Sequence, residues 1–151
     1  MLKESLKALF TRDLNRLKVE IESYRDEKVI WLIDQQVLNS AGNLCLHLVG
    51  NLNTFVGGEL GKTGYLRDRP LEFSLKDVPR AELISKIEAT ITVVANAIDG
   101  LAEQDMYSKY PLVKVVEGGD TIGFMLIHLS THLAYHLGQI NYHRRLLDTS
   151  N

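Results

Sequence analysis

Residues 121–147, TIGFMLIHLSTHLAYHLGQINYHRRLL, narrow the fold more than any other stretch of this chain. Ile122, Leu126, Leu129, Leu133, Leu137 and Ile140 recur there at three- and four-residue steps. That is the period of a helix with one face in a core. Four of the chain's 5 histidines lie in the same run, and His128, His132 and His136 repeat at i, i+4 and i+8. Successive members of such a series rotate by only about 40° around a helix, so the imidazoles line one stripe. Neighbours four apart reach a common point, where two neutral imidazoles can chelate one metal ion. His132 and His136 fall at the edge of the apolar sector. The fifth histidine, His47, lies in the other strongly helical run, and the rest of the chain reads as a scaffold that brings it to His132 and His136.

Leu2, Leu6, Leu9, Leu14, Leu17 and Ile21 predict an amphipathic helix over residues 2–23. The apolar run Val29 to Ile33 is too short for a long helix; it reads as a connector burying Trp31, either a short strand or a turn of helix. Ser40 is an N-cap for a second helix over 41–60. Leu44, Leu48, Leu52, Phe55 and Val56 face its core, and Asn43 and Asn51 lie one turn either side of His47. Gly57, Gly58 and Gly61 loosen its end. Residues 61–77 form the longest irregular segment, of the kind that is functional or crosses between parallel neighbours. Asp77 and Pro79 open a third helix over 79–101, with Gly100 near its far end. A second connection holds Tyr107, Tyr110, Pro111 and the β-prone Val113-Lys114-Val115-Val116. Thr121 or Asp120 then caps the final helix, over 121–147. The expectation is one domain over 1–151: all-α, a four-helix bundle with long crossover connections.

Composition removes several function classes. Lys plus Arg total 17 against 19 Asp plus Glu, a net charge of −2, which leaves no footprint for nucleic acid or an anionic membrane. The single cysteine, Cys45, excludes an intramolecular disulfide and suits a reducing compartment. MLKESLKALF lacks a secretory apolar region, and no run approaches the roughly 20 apolar residues of a membrane span. A cytoplasmic protein is expected.

The residues around the histidines exclude two metal chemistries. A helical zinc protease carries Glu directly after its first ligand, and here that position is Leu133. Di-iron bundles need Glu-x-x-His pairs, and the sequence has none. Three histidines without a carboxylate suggest a mononuclear site for Zn²⁺, Ni²⁺ or Fe²⁺. Spacing alone leaves two readings open, a metal site and a polar seam inside a bundle or dimer interface.

His132, His136, Gly138 and Gln139 together form H-x-x-x-H-x-G-Q, which resembles the carboxy-terminal helix of the DinB/YfiT-like superfamily. Ser40 to His47 and the charged segment Arg67-Asp68-Arg69 are also similar to that family. The resemblance implies a four-helix bundle holding one divalent metal on His47, His132 and His136, often as a homodimer. It further implies a metal-dependent transferase acting on a low-molecular-weight thiol such as bacillithiol or mycothiol, as in thiol S-transferases and a maleylpyruvate isomerase. A hydrolase acting through metal-bound water is the alternative enzyme. A tri-histidine ion keeps a coordination position open, as catalytic sites do.

Other residues receive narrower expectations. His128 belongs beside the site rather than in it, and His143, near Arg144 and Arg145, should face solvent or favour the helix C-terminus. Gln139 should orient a ligand or close a dimer contact, and Gly138 should permit close helix approach. Cys45 reads as a small core residue. Tyr65, Tyr107, Tyr110 and Arg67 are candidates for a substrate mouth, with ordinary loop packing as the plainer reading. Trp31 with its apolar run, and the first and last helices, are the expected dimer surface.

Overall fold

The structure, a computed structural model, describes residues 1–112 and 116–149. Among these residues there are five α-helices and no strand. The only β-like pairs among the described residues are isolated bridges, Asp34 with Val37 and Lys109 with Thr121. The β-prone reading of Val113, Lys114 and Val115 lies outside the described residues.

Helix α1, Leu2–Glu22, buries Leu6, Phe10, Leu14, Leu17 and Ile21 at helical spacing. After it, Asp26 accepts from the Lys28 amide and opens a short 3₁₀ helix, Glu27–Trp31, that buries Ile30 and Trp31. The connector is therefore a turn of helix. Its indole packs closely on the first turn of α2: a Cβ placed on Gly42 would stand 2.6 Å from the ring. That packing removes Trp31 from the surface, so it cannot carry the intermolecular contact expected of it. Gly42→Ala should gain up to about 1 kcal/mol in helix propensity but cost about 1–3 kcal/mol in overpacking, a net loss. Urea denaturation would measure it, and a more stable variant would mean the indole does not sit there.

Helix α2, Ala41–Leu52, starts where Ser40 accepts from the Asn43 amide, and all of its residues are buried. It is shorter than the expected 41–60. From Asn53 to Gly58 the chain widens into a π-helical turn. There Asn53 donates to the Val49 carbonyl and Thr54 to that of Gly50. Side chains that capture carbonyls compete with the regular ladder, and the two glycines that follow do little to restore it.

The segment 61–77 is not wholly irregular. Asp68 accepts from the Leu71 amide and starts a short helix, α3, Arg69–Ser74, with Pro70 in its first turn. Helix α4, Arg80–Asp99, buries Leu83, Ile87, Val94, Ala97 and Ile98. A 3₁₀ helix, Glu103–Tyr107, precedes α5, Ile122–Leu147, which Thr121 caps by accepting from Phe124. Helix α1 packs against α4 and α5, and α2 packs against both of these as well as α3. The buried face of α2 is thereby set against the histidine-bearing stripe of α5. No helix among the described residues is long and apolar enough to cross a membrane.

Candidate metal centre

Helices α2 and α5 bring three imidazoles together. His47 Nε2 lies 3.3 Å from His132 Nε2, and His136 Nε2 lies 3.1 Å from the same atom. One ring nitrogen from each of the three fits within 4.8 Å of the others, and no other such cluster occurs among the described residues. His132 and His136 meet because they are one turn apart on α5, their rings edge to face with centroids 4.5 Å apart. His47 is buried, and the other two are half-buried at the rim. The expected approach of His47 to His132 and His136 is observed.

The groups behind the rings decide where the lone pairs point. Glu72 Oε1 is 3.1 Å from His47 Nδ1. A carboxylate can only accept, so Nδ1 carries the proton and Nε2 keeps its lone pair. Gln139 Oε1 is 2.7 Å from His136 Nδ1, and a carbonyl oxygen imposes the same tautomer there. Two lone pairs thus converge on His132 Nε2, whose single proton at most could satisfy one of them. A cation in the notch would satisfy all three nitrogens. The observed separations also fit such an ion: ligands about 2.0–2.1 Å from a tetrahedral centre stand roughly 3.3–3.4 Å apart. The donor set suits a divalent ion of borderline softness.

Burial pushes the His47 imidazolium down in pKa, opposed by Glu72, while His136 and Arg67 add to the lowering. The neutral ring is the form that ligates. Arg67 grips Glu72 through Nε at 2.8 Å and a second nitrogen at 2.9 Å, the paired geometry of a strong guanidinium–carboxylate contact. Its approach to His47 Nδ1 at 3.4 Å is longer, and with Nδ1 protonated it is not a hydrogen bond. The guanidinium also lies over the Phe55 ring.

Glu72 was not legible as a site residue. It reaches His47 because α3 is clamped onto α2: the Asn43 side chain donates through Nδ2 to the carbonyls of Glu72 and Leu75. Gly50 makes room, since a Cβ there would overlap the Glu72 carboxylate. The available signal was Asp68-x-Pro70, a cap followed by a first-turn proline within the segment. Arg67, expected near a substrate mouth, holds Glu72 instead. Tyr110 is a packing residue whose hydroxyl donates to the Phe55 carbonyl, and Tyr65 and Tyr107 are exposed.

His128 stands one turn upstream, half-buried and outside the three-ring cluster. Cys45 is fully buried, which pushes its thiol up to about 12, as suits a core residue. Two expectations fail. A Cβ on Gly138 would meet nothing within 4 Å, so this glycine borders an open groove between α1 and α5 rather than a close helix contact. His143 does not face solvent: it is 5% exposed, with Nδ1 2.7 Å from the Tyr24 hydroxyl and Nε2 2.9 Å from the Leu32 carbonyl. Its ring faces inward because α1 and the 3₁₀ connector close over the end of α5.

That burial has a pH signature. It lowers the pKa of His143 from its ordinary 6.5, against the raising effect of the Leu32 hydrogen bond. The unfolded chain then binds a proton that the folded chain refuses, so stability is full above 6.5 and falls as pH drops below it. His143→Gln should flatten this fall in urea midpoint between about pH 7.5 and 5.5. Parallel losses in wild type and variant would assign the acid sensitivity elsewhere.

The helices and the site define an all-helical protein with a three-histidine cluster between its second and last helices. The chain belongs to the family described as "Protein of unknown function (DUF1572)", which it matches over residues 3–151. No curated protein matches it.

Proposed function

We propose that the chain is a member of the DinB/YfiT-like superfamily, a four-helix bundle with long crossover connections that binds one divalent metal ion on His47, His132 and His136. The observation that carries this reading is the pair of outer partners: Glu72 and Gln139 hold two imidazoles with their Nε2 lone pairs aimed at the third. A polar seam would also supply acceptors for the Nδ1–H groups, but it would not aim two Nε2 lone pairs at one nitrogen that can donate to only one of them. The mutual packing of α1, α2, α4 and α5, with α3 in the connection between α2 and α4, supports the bundle.

The reaction we propose is transfer involving a low-molecular-weight thiol. A bound divalent ion would supply the charge that favours the deprotonated, nucleophilic form of the thiol. The chain's own residues have distinct tasks. His47, His132 and His136 are the ligands. Glu72 and Gln139 fix ring orientation, and Arg67 compensates the charge of Glu72 inside the fold. The half-buried edges of His132 and His136 leave an approach for a small molecule.

Protein purified without an affinity tag should carry about one ion per chain. After exchange with Co²⁺, its absorption should change on titration with cysteine, glutathione or bacillithiol. No change with any of these thiols rejects the thiol reaction while leaving the metal centre standing. We also propose a homodimer, formed without Trp31, and sedimentation equilibrium tests it: a mass remaining at 17.0 kDa across micromolar concentrations excludes it.

A further inference from the structure

Two large cavities border α5. One, of about 620 Å³, lies between α1 and α5, has Arg12, Asp13, Arg16 and Glu20 in its walls, and touches none of the three clustered imidazoles. The other, of about 590 Å³, has His136 and Gln139 in its wall and so opens directly on the candidate metal centre. Its apolar surface comes from Val37, Leu38 and Leu44 on one side and Tyr142, Leu146 and Leu147 on the other. None of the described residues lining it is Asp, Glu, Lys or Arg.

We propose that this second cavity binds the uncharged, apolar part of a small organic substrate, an aryl or branched alkyl group, whose reacting end lies at His136. The placement of the reacting end rests on the metal-centre reading; the binding of an apolar group does not. Three observations carry it. The volume is that of a pocket for a drug-sized molecule, commonly about 300–1,000 Å³. Leu38 and Leu146 are 79% and 68% exposed although both line one concavity, which leaves apolar surface for an occupant to cover. Away from the metal centre, an anionic group would find no Lys or Arg side chain in the wall to replace its water, so desolvation opposes it there. The polar wall groups are neutral or already engaged: His143 is held between Tyr24 and Leu32, and Gln139 faces His136. The wall thus selects for low polarity at one end and presents His136 at the other.

Two fluorescent probes that share an anilinonaphthalene frame separate these properties: neutral N-phenyl-1-naphthylamine and anionic 8-anilinonaphthalene-1-sulfonate. The neutral probe should bind the full chain about tenfold more tightly than the sulfonate. Leu146→Glu, at a surface position, should weaken the neutral probe about tenfold and leave the urea midpoint unchanged. Equal affinities for the two probes, or a Leu146→Glu variant that binds as wild type does, would overturn the proposal. So would a dimer that excludes the probe and falls apart in Leu146→Glu, since a second copy would then cover the face. Metal content measured on the same samples keeps the two readings apart. His132 does not line the cavity, so His132→Ala should lose metal and retain the probe. Wild-type protein that binds the probe without metal would sink the metal centre and keep the cavity; metal without probe would do the reverse.

Discussion

His132→Ala should empty the metal centre. His132 Nε2 is the atom on which the other two rings converge, and removing it leaves His47 and His136 without the ligand that links them. Four-ligand structural zinc sites gain about 10–16 kcal/mol, so roughly 3 kcal/mol per ligand and a hundredfold or greater loss of affinity is expected. The ring is half-buried at the rim of α5, so the fold should survive. Competition against a chelator would measure the affinity, and the urea midpoint in the presence of EDTA would confirm an intact fold. Unchanged metal content in the variant would reject His132 as a ligand.

Glu72→Ala should damage both stability and metal binding. The side chain is 7% exposed and its partner Arg67 only 15%, so its loss leaves a guanidinium poorly solvated and the Nδ1–H of His47 without its acceptor. Breaking a buried pair from one side costs about 3–5 kcal/mol, and the partial exposure of Arg67 argues for the lower end. Loss of an outer hydrogen bond to a ligating histidine typically weakens metal binding about 10–100-fold. Glu72→Gln should recover part of the affinity, because its amide oxygen still accepts from His47, but not the compensation of Arg67. If Glu72→Ala unfolds within about 0.5 kcal/mol of wild type, the Arg67 contact is a solvated pair of little consequence.

The long helices were readable because their signal is local. Apolar residues at helical spacing, Asp77 and Pro79 at one start, Thr121 at another and a glycine at position 100 predict 2–23, 79–101 and 121–147. The structure has Leu2–Glu22, Arg80–Asp99 and Ile122–Leu147. The second helix was overextended because the hydrogen bonds of Asn53 and Thr54 to the preceding turn do not alter hydrophobic periodicity. Helix α3 was missed because six residues are too few to show a period. The pairing of His132 with His136 follows from one turn of helix, and nothing distant is needed to place them.

What the sequence determined by itself is therefore the helical periods, two of the three clustered imidazoles and the absence of the carboxylate patterns that mark other helical metal sites. What only the tertiary structure decided is everything that depends on contacts between segments far apart in the chain. His47 meets His132 across 85 positions, and Glu72 meets His47 across 25. The inward turn of His143 depends on Tyr24, 119 positions away, and the burial of Trp31 on the missing side chain of Gly42. Local propensity and amphipathicity act within a few turns, whereas a tautomer or a buried ring is fixed by whichever partner the packed helices bring to it.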